Sequence, residues 1–255
     1  MTRALITGAT AGIGAEFARQ LAASGHDLVL VARDEERLHE HAGALHRRFG
    51  VAVEALSADL LSPAGLSTVE ARLRALEPPI DVLVNNAGFG LRGSFEENSI
   101  ADEQRLLDLL VAAPMRLTHA ALPNMIERGH GQIVNIASVA GFTPRGTYGA
   151  SKAWVISFSR WANVKYAPQG VTVTAVAPGF VRTEFHARMK VSTGGIPAIA
   201  WLRPETVVRL ALKDVAKGKA VSVPTIRYKI VVAVAKLLPA RMSAAGDLAP
   251  HKDAS

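Results

Sequence analysis

Three polar residues have the types and spacing for proton transfer. Tyr148 and Lys152 stand four positions apart in Tyr148-Gly149-Ala150-Ser151-Lys152, so a helix through them puts both side chains on one face. A phenol near its reference pKa of about 10 is a poor base at neutral pH, and a neighbouring ammonium is expected to stabilise the phenolate and lower that value. Ser138 closes the apolar run Gln132–Ser138. At the C-terminal end of a strand its hydroxyl would hold a substrate oxygen while Tyr148 gives or takes the proton. Alone, a Tyr-x-x-x-Lys is an ordinary helical pair and a serine after a strand is a turn residue. Their joint presence beside a nucleotide-binding turn points to chemistry.

That turn is Thr7-Gly8-Ala9-Thr10-Ala11-Gly12-Ile13-Gly14, between the first strand-like run and a helix. Glycines let the backbone approach a pyrophosphate, and a helix N-terminus offers free N–H groups and a positive dipole end. At the end of the second run, Ala32-Arg33-Asp34-Glu35-Glu36 decides which ribose is read. An acid there accepts from a free 2′-hydroxyl, whereas an arginine pairs with a 2′-phosphate. Asp34 has a structural role as the cap of a helix with Glu35 and Glu36 in its first turn. Arg33 therefore favours NADP(H) over NAD(H), the alternative being that Arg33 is a solvated loop residue.

Positioning these groups requires a parallel sheet. Short runs rich in Val, Ile and Leu, at Arg3–Thr7, Asp27–Ala32, Val51–Ser57, Ile80–Asn85, Gln132–Ser138, Val171–Ala177 and Ala220–Pro224, alternate with segments of helical period. Nearly continuous apolarity suits strands covered on both faces. Ser62-Pro63 and Arg203-Pro204-Glu205 read as helix starts. Seven strands and about six helices predict a doubly wound α/β Rossmann fold with helices on both faces of a seven-stranded parallel sheet. A single domain over residues 1–243 is expected, with a tail from Ala244 to Ser255 that lacks periodicity.

Composition narrows the function classes. The 255 residues contain no cysteine, which excludes disulfides, zinc–thiolate sites and thiol catalysis, and the eight histidines show no metal-ligand spacing. No apolar stretch is long enough to cross a bilayer and no leader precedes the first strand, so a cytoplasmic protein is the simplest expectation. The net charge of +7 is carried between Arg203 and Arg241, where nine bases face two acids. A solvated face is the favoured reading of that run, and a phosphorylated substrate, an acidic carrier or an anionic membrane the less favoured ones. No nucleic-acid recognition motif accompanies the bases.

Taken together, these motifs resemble the short-chain dehydrogenase/reductase family along nearly the whole chain. Besides the glycine turn and the Ser…Tyr-x-x-x-Lys set, Asp59-Leu60, Asn85-Asn86-Ala87-Gly88 and Pro178-Gly179-Phe180-Val181-Arg182-Thr183 agree in order and spacing. The resemblance implies that Asp59 and Leu60 border the adenine, that Asn86, Ala87 and Gly88 line the adenosine side, and that Pro178, Gly179, Val181 and Thr183 hold the nicotinamide. It further implies hydride transfer between the nicotinamide and a carbonyl or alcohol, with Tyr148 as proton donor and Lys152 also binding the nicotinamide ribose. A homodimer or homotetramer is the implied assembly. One position departs: Leu110 stands where the family usually carries an asparagine that disturbs a long helix and frees a carbonyl for a water leading to the lysine. Pro114, which lacks an N–H, is expected to replace that disturbance.

The substrate end is the least legible. The periodic pattern lapses from Glu184 to Leu202, and a lid is expected at about 184–203, with Ser192–Pro197 as mobile chain. Phe89, Leu91, Phe142 and Phe185 flank the motifs and suggest an apolar small-molecule substrate, although aromatics are more often core. Tyr228–Leu238 combines a strongly apolar helix with bases. It could close a pocket for a long-chain substrate, pack in an oligomer interface or rest on a membrane surface, the packing role being favoured and peripheral membrane contact less so. The rival to an enzyme is a non-catalytic dinucleotide-binding sensor or scaffold, which Leu110 alone supports.

Overall fold

The computed structural model describes residues 2–185 and 196–239. Seven parallel strands, β1 (Arg3–Thr7), β2 (Asp27–Ala32), β3 (Val53–Ser57), β4 (Val82–Asn85), β5 (Gly131–Ile136), β6 (Val171–Val176) and β7 (Val221–Ser222), form one sheet in the order β3-β2-β1-β4-β5-β6-β7. The strand order reverses between β1 and β4, and the crevice at that switch point is where such sheets bind ligands.

Helices α1 (Gly12–Ala23), α2 (Glu35–Phe49), α3 (Pro63–Arg74), α4 (Ile100–Leu107), α5 (Ala113–Glu127), α6 (Gly146–Tyr166), α7 (Pro204–Val215) and α8 (Ile226–Leu237) cover the sheet. The expected six helices correspond to the six crossovers. α4 and α5 share one of them, joined by a π-helical segment at Asp108–Ala112, and α8 follows the last strand. Alternation along each strand feeds two cores. Ala4 and Ile6 pack with α1, α2 and α7, whereas Leu5 packs with α3 and α5 on the opposite face. Most side chains of the central strands thereby lose contact with water, which is why these runs are largely apolar, while the edge strand β3 keeps Glu54 and Ser57 exposed.

Helix starts follow the sequence cues. The Asp34 side chain accepts from the Arg37 N–H, Ser62 accepts from the Gly65 N–H with Pro63 in the first turn, and α7 begins at Pro204 after Arg203. Strand limits are shorter than expected at five places, β6 among them, which ends at Val176 and not at Ala177. Val51 and Ala52 complete the turn out of Gly50, with the Val51 carbonyl paired to the His46 ring. Ile80 and Asp81 precede β4. Ala137 still donates to the Val176 carbonyl, but the chain then leaves the sheet, so Ser138 lies beyond β5. β7 is cut to two residues at the sheet edge, before Pro224, which has no N–H for a ladder.

The tail expected from Ala244 and the middle of the expected lid, residues 186–195, lie outside the described residues. Among the described residues no helix is long and apolar enough to cross a membrane.

Candidate active site

The glycine turn is closed by backbone contact. Gly8 and Gly12 adopt φ values of +64° and +55°, a region that side chains disfavour. A Cβ on Gly14 would stand 2.2 Å from the Gly8 carbonyl oxygen, so only glycine lets α1 start this close to β1. Asn86 donates its side-chain N–H to the carbonyls of Thr7 and Gly8, at 2.9 and 3.1 Å. The Thr7 hydroxyl accepts from the N–H groups of Asn86 and Ala87 at 2.9 and 3.0 Å. The β1 and β4 ends are thus sewn together at the switch point. Across the same cleft, the Thr183 methyl lies against Gly12.

This cradle fits a dinucleotide. α1 begins at Ala11 with no side-chain cap and no acid in its first turn, leaving its N–H groups and positive dipole end open. At the adenosine end, Asp34 is committed to capping α2. Arg33 is exposed and, among the described residues, has no hydrogen-bond or ion-pair partner. The Asp59 carboxylate accepts from the Leu61 N–H at 3.0 Å, and Leu60 is buried beside it.

At the other end, Ser138 caps a 3-10 turn over Val139–Phe142, accepting from the Ala140 N–H at 3.2 Å, and its side chain stands close enough to the Tyr148 hydroxyl to lower the phenol's pKa. Tyr148 and Lys152 occupy the first two turns of α6, on one face as the spacing requires, with the Lys152 ammonium 5.6 Å from the Tyr148 ring centroid. The Lys152 Nζ donates to the Ile136 carbonyl at 2.7 Å.

The expectation of an acidified phenol is corrected here. Burial pushes Tyr148 up to about 12, only partly offset by Ser138, and pushes Lys152 down to about 8. Desolvation disfavours both charged forms, and the ammonium is turned toward the Ile136 carbonyl. Tyr148 is consequently a protonated hydroxyl at neutral pH, a group that can donate to an oxygen held between it and Ser138. Phe185 closes the neighbourhood, its ring centroid 6.2 Å from that of Tyr148. Phe89, Leu91, Phe142 and Phe185 are all half-buried, Phe142 packing against the small cluster of Ala137, Val155 and Ile156.

The Pro178–Thr183 loop lies against the serine turn, the Val139 N–H donating to the Pro178 carbonyl at 3.0 Å. Val181 is buried and bridges to Leu202. Tyr228 of α8, which the motifs did not single out, holds this loop. Its hydroxyl accepts from the Phe180 N–H at 3.1 Å and donates to the Ala200 carbonyl at 2.7 Å. Its ring lies flush on Gly179, where a Cβ would meet it at 1.9 Å. Two further residues escaped the sequence reading. The buried Glu103 carboxylate accepts from the hydroxyl of Thr147, the neighbour of Tyr148, and from Asn98. Arg37 grips Glu184 with two N–H groups, at 2.8 and 3.3 Å, tying the start of α2 to the chain beyond Thr183. An acid at a buried position of a helix is a signal for Glu103; the other two pairings span too much sequence to be read locally.

The π segment stands where Pro114 was expected to disturb the helix. Pro114 sits in the first turn of α5, and the Ala113 N–H reaches back five residues to the Asp108 carbonyl. The Leu110 side chain is buried; a Cβ on Gly88 would come within 2.8 Å of its Cδ2.

Residues 2–192 match the short chain dehydrogenase family model. A ketoacyl reductase, HetN, from Nostoc sp. is 33% identical over 250 residues, covering 96% of this chain and 84% of its own. A short-chain dehydrogenase from Sphingobium yanoikuyae solved with NADPH superposes with a TM-score of 0.85 at 37% identity, over 100% of this chain and 99% of that one. A bulky-bulky ketone specific alcohol dehydrogenase from Comamonas testosteroni gives a TM-score of 0.81 at 34% identity, with 92% of each chain covered. Sheet order, glycine cradle and sequence agree: the chain belongs to the short-chain dehydrogenase/reductase family, and is an oxidoreductase acting on CH–OH or C=O groups with NAD(P).

Proposed function

We propose that the protein is an NADP(H)-dependent carbonyl reductase for an apolar ketone or 3-oxoacyl substrate, with Tyr148 as the proton donor. The observation that carries this reading is the Tyr148 hydroxyl, kept protonated by burial, with Ser138 near it, the Lys152 ammonium 5.6 Å from its ring centroid and the Phe185 ring beside it. The nicotinamide, when bound, supplies the hydride.

The chain's own residues do the rest. Gly8, Thr10, Gly12, Ile13 and Gly14 cradle the pyrophosphate, and Arg33 pairs with the 2′-phosphate. Asp59 and Leu60 border the adenine, while Asn86, Ala87 and Gly88 line the adenosine side. Pro178, Gly179, Val181 and Thr183 support the nicotinamide. Ser138 and Tyr148 grip the substrate oxygen, and the Tyr148 proton passes to it as negative charge develops there. Lys152 orients the nicotinamide ribose and restores the proton. In the relay, the turn opened at 108–112 with Pro114 stands in for the family's asparagine. A crystal structure with no water between the Leu110 carbonyl and Lys152 would sink that part.

NADP(H) is supported by the free Arg33, by the commitment of Asp34 to capping, and by the NADPH found in the Sphingobium yanoikuyae relative. The half-buried aromatics and the ketoacyl and bulky-ketone relatives support the substrate class. Homodimer or homotetramer assembly is supported by large apolar side chains left exposed on neighbouring helices, Trp161 and Val164 on α6, Leu107 on α4 and Met115 on α5.

The test is reduction of bulky ketones and 3-oxoacyl thioesters by NADPH, repeated with Tyr148→Phe. Turnover should fall by about 10²- to 10⁴-fold while NADPH still binds. A variant that turns over normally would overturn Tyr148 as the donor.

A further inference from the structure

Helix α8 has its apolar side turned to the wrong medium for a packing element. Only Tyr228 and Val232 are buried. On the opposite side Ile226, Ile230, Val234 and Leu237, at helical spacing, are 73, 58, 49 and 86% exposed. Arg227, Lys229 and Lys236 flank this stripe, and α8 contains no acid. Between Arg203 and Pro239 eight bases face two acids, and one of those, Asp214, is paired with Lys219 and accepts a hydrogen bond from Ser222. Packing within the chain therefore accounts for two side chains and leaves the remaining apolar surface to a partner or a membrane.

We propose that α8 docks the protein on an anionic phospholipid surface, with the Ile226–Leu237 stripe entering the interface and the flanking bases facing the headgroups. An apolar stripe bordered by lysine and arginine, with no acid beside it, is the pattern of a helix that lies in a membrane interface. Anionic lipid satisfies both halves of the pattern at once. A second copy does not: laying the stripe on its own twofold mate brings positive flanks within about a Debye length of each other, roughly 8–10 Å in ordinary buffers.

Docking in this way has a consequence for the site. Tyr228 bolts α8 to the Pro178–Thr183 loop and to Ala200, and the Lys236 ammonium stands 5.0 Å from the ring centroid of Phe142. The helix that meets lipid is thus part of the rim of the substrate end, and an apolar ligand reaches the cleft without crossing water.

The full chain is sedimented with vesicles of phosphatidylcholine alone and of phosphatidylcholine containing phosphatidylglycerol, at low and high salt. The protein should pellet with the anionic vesicles, and salt should release it. Ile230→Ser with Leu237→Ser should weaken partitioning by roughly tenfold or more. Lys229→Glu should weaken it by about fivefold for each unit of charge removed. All these residues are exposed and lie outside the catalytic and cofactor sites, so turnover of a water-soluble ketone should be unchanged and reports an intact fold. The inference is overturned if the protein stays in solution with both vesicle types, pellets equally with both, or is unaffected by the serine pair. It is equally overturned if the serine pair converts a dimer to a monomer in light scattering while the unmodified chain ignores vesicles.

Discussion

The two ends of the cofactor cleft are held by different means. At the glycine turn, main chain meets main chain where Gly14 lies against the Gly8 carbonyl, and the Asn86 side chain ties in the carbonyls of Thr7 and Gly8. At the Pro178–Thr183 loop, one side chain from 48 residues further along supplies the support, through the Tyr228 hydroxyl and ring. Backbone contact demands glycine and cannot be relieved by a neighbour. Side-chain contact leaves both partners free to change together, so the second end can be retuned for a new substrate while the first stays fixed.

The largest expected effects come from filling the glycine positions. Gly14→Ala puts a methyl against a carbonyl that cannot retreat without moving β1 and α1, and should cost about 1–3 kcal/mol or more. Thermal unfolding should shift down by roughly 2–4 °C per kcal/mol, with weakened NADPH binding. Gly179→Ala collides instead with the Tyr228 ring. Adding Tyr228→Ala to it should recover much of the loss in melting temperature, whereas no second substitution near Gly14 should do so. Equal rescue at both sites would erase the distinction between the two ends.

Next in size is the adenosine end. Arg33→Ala should raise the KM for NADPH by about 10- to 100-fold, the worth of a charge-assisted bond, and leave that for NADH nearly unchanged. Asp34→Ala removes a helix cap and should lower stability by about 1 kcal/mol without altering the NADPH preference. Should Asp34→Ala shift the preference instead, the division of labour between these neighbours is wrong.

Why some of this was readable and some was not follows from how far apart the partners lie. Ser62 and Pro63 start α3 because a cap acts within three residues. The seven strands were visible because both of their faces are buried. Asp34 was readable as a cap for the same local reason. Tyr228, Arg37 and Glu103 act on residues 48, 147 and 44 positions away, and no local pattern encodes such meetings. The Tyr148 phenol was misjudged because spacing reports that an ammonium is near but not which way it points. Lys152 is aimed at the Ile136 carbonyl, and burial then dominates both groups.

That correction has a pH signature. With Lys152 lowered to about 8, its ammonium is present below that pH and lost as pH rises through it, while Tyr148, raised to about 12, remains protonated across the same range. Reduction should therefore be level below pH 8 and fall by up to about tenfold per unit above it, tracking Lys152 and not the phenol. A ketone-reduction profile that stays flat to pH 10 would show that Lys152 keeps its charge in the working enzyme.

The smallest effect separates support from chemistry at the substrate end. Tyr228→Phe keeps the ring that lies on Gly179 and removes the hydroxyl that joins Phe180 to Ala200. One lost bond of this kind is worth about 0.5–1.5 kcal/mol, so kcat/KM for the ketone should fall by about two- to tenfold. NADPH affinity, set mainly by the glycine cradle and Arg33, should barely move, and the pH at which reduction declines should stay with Lys152. Loss of NADPH binding in this variant would mean that the two ends of the cleft are one cooperative unit, and the side chain a keystone of both.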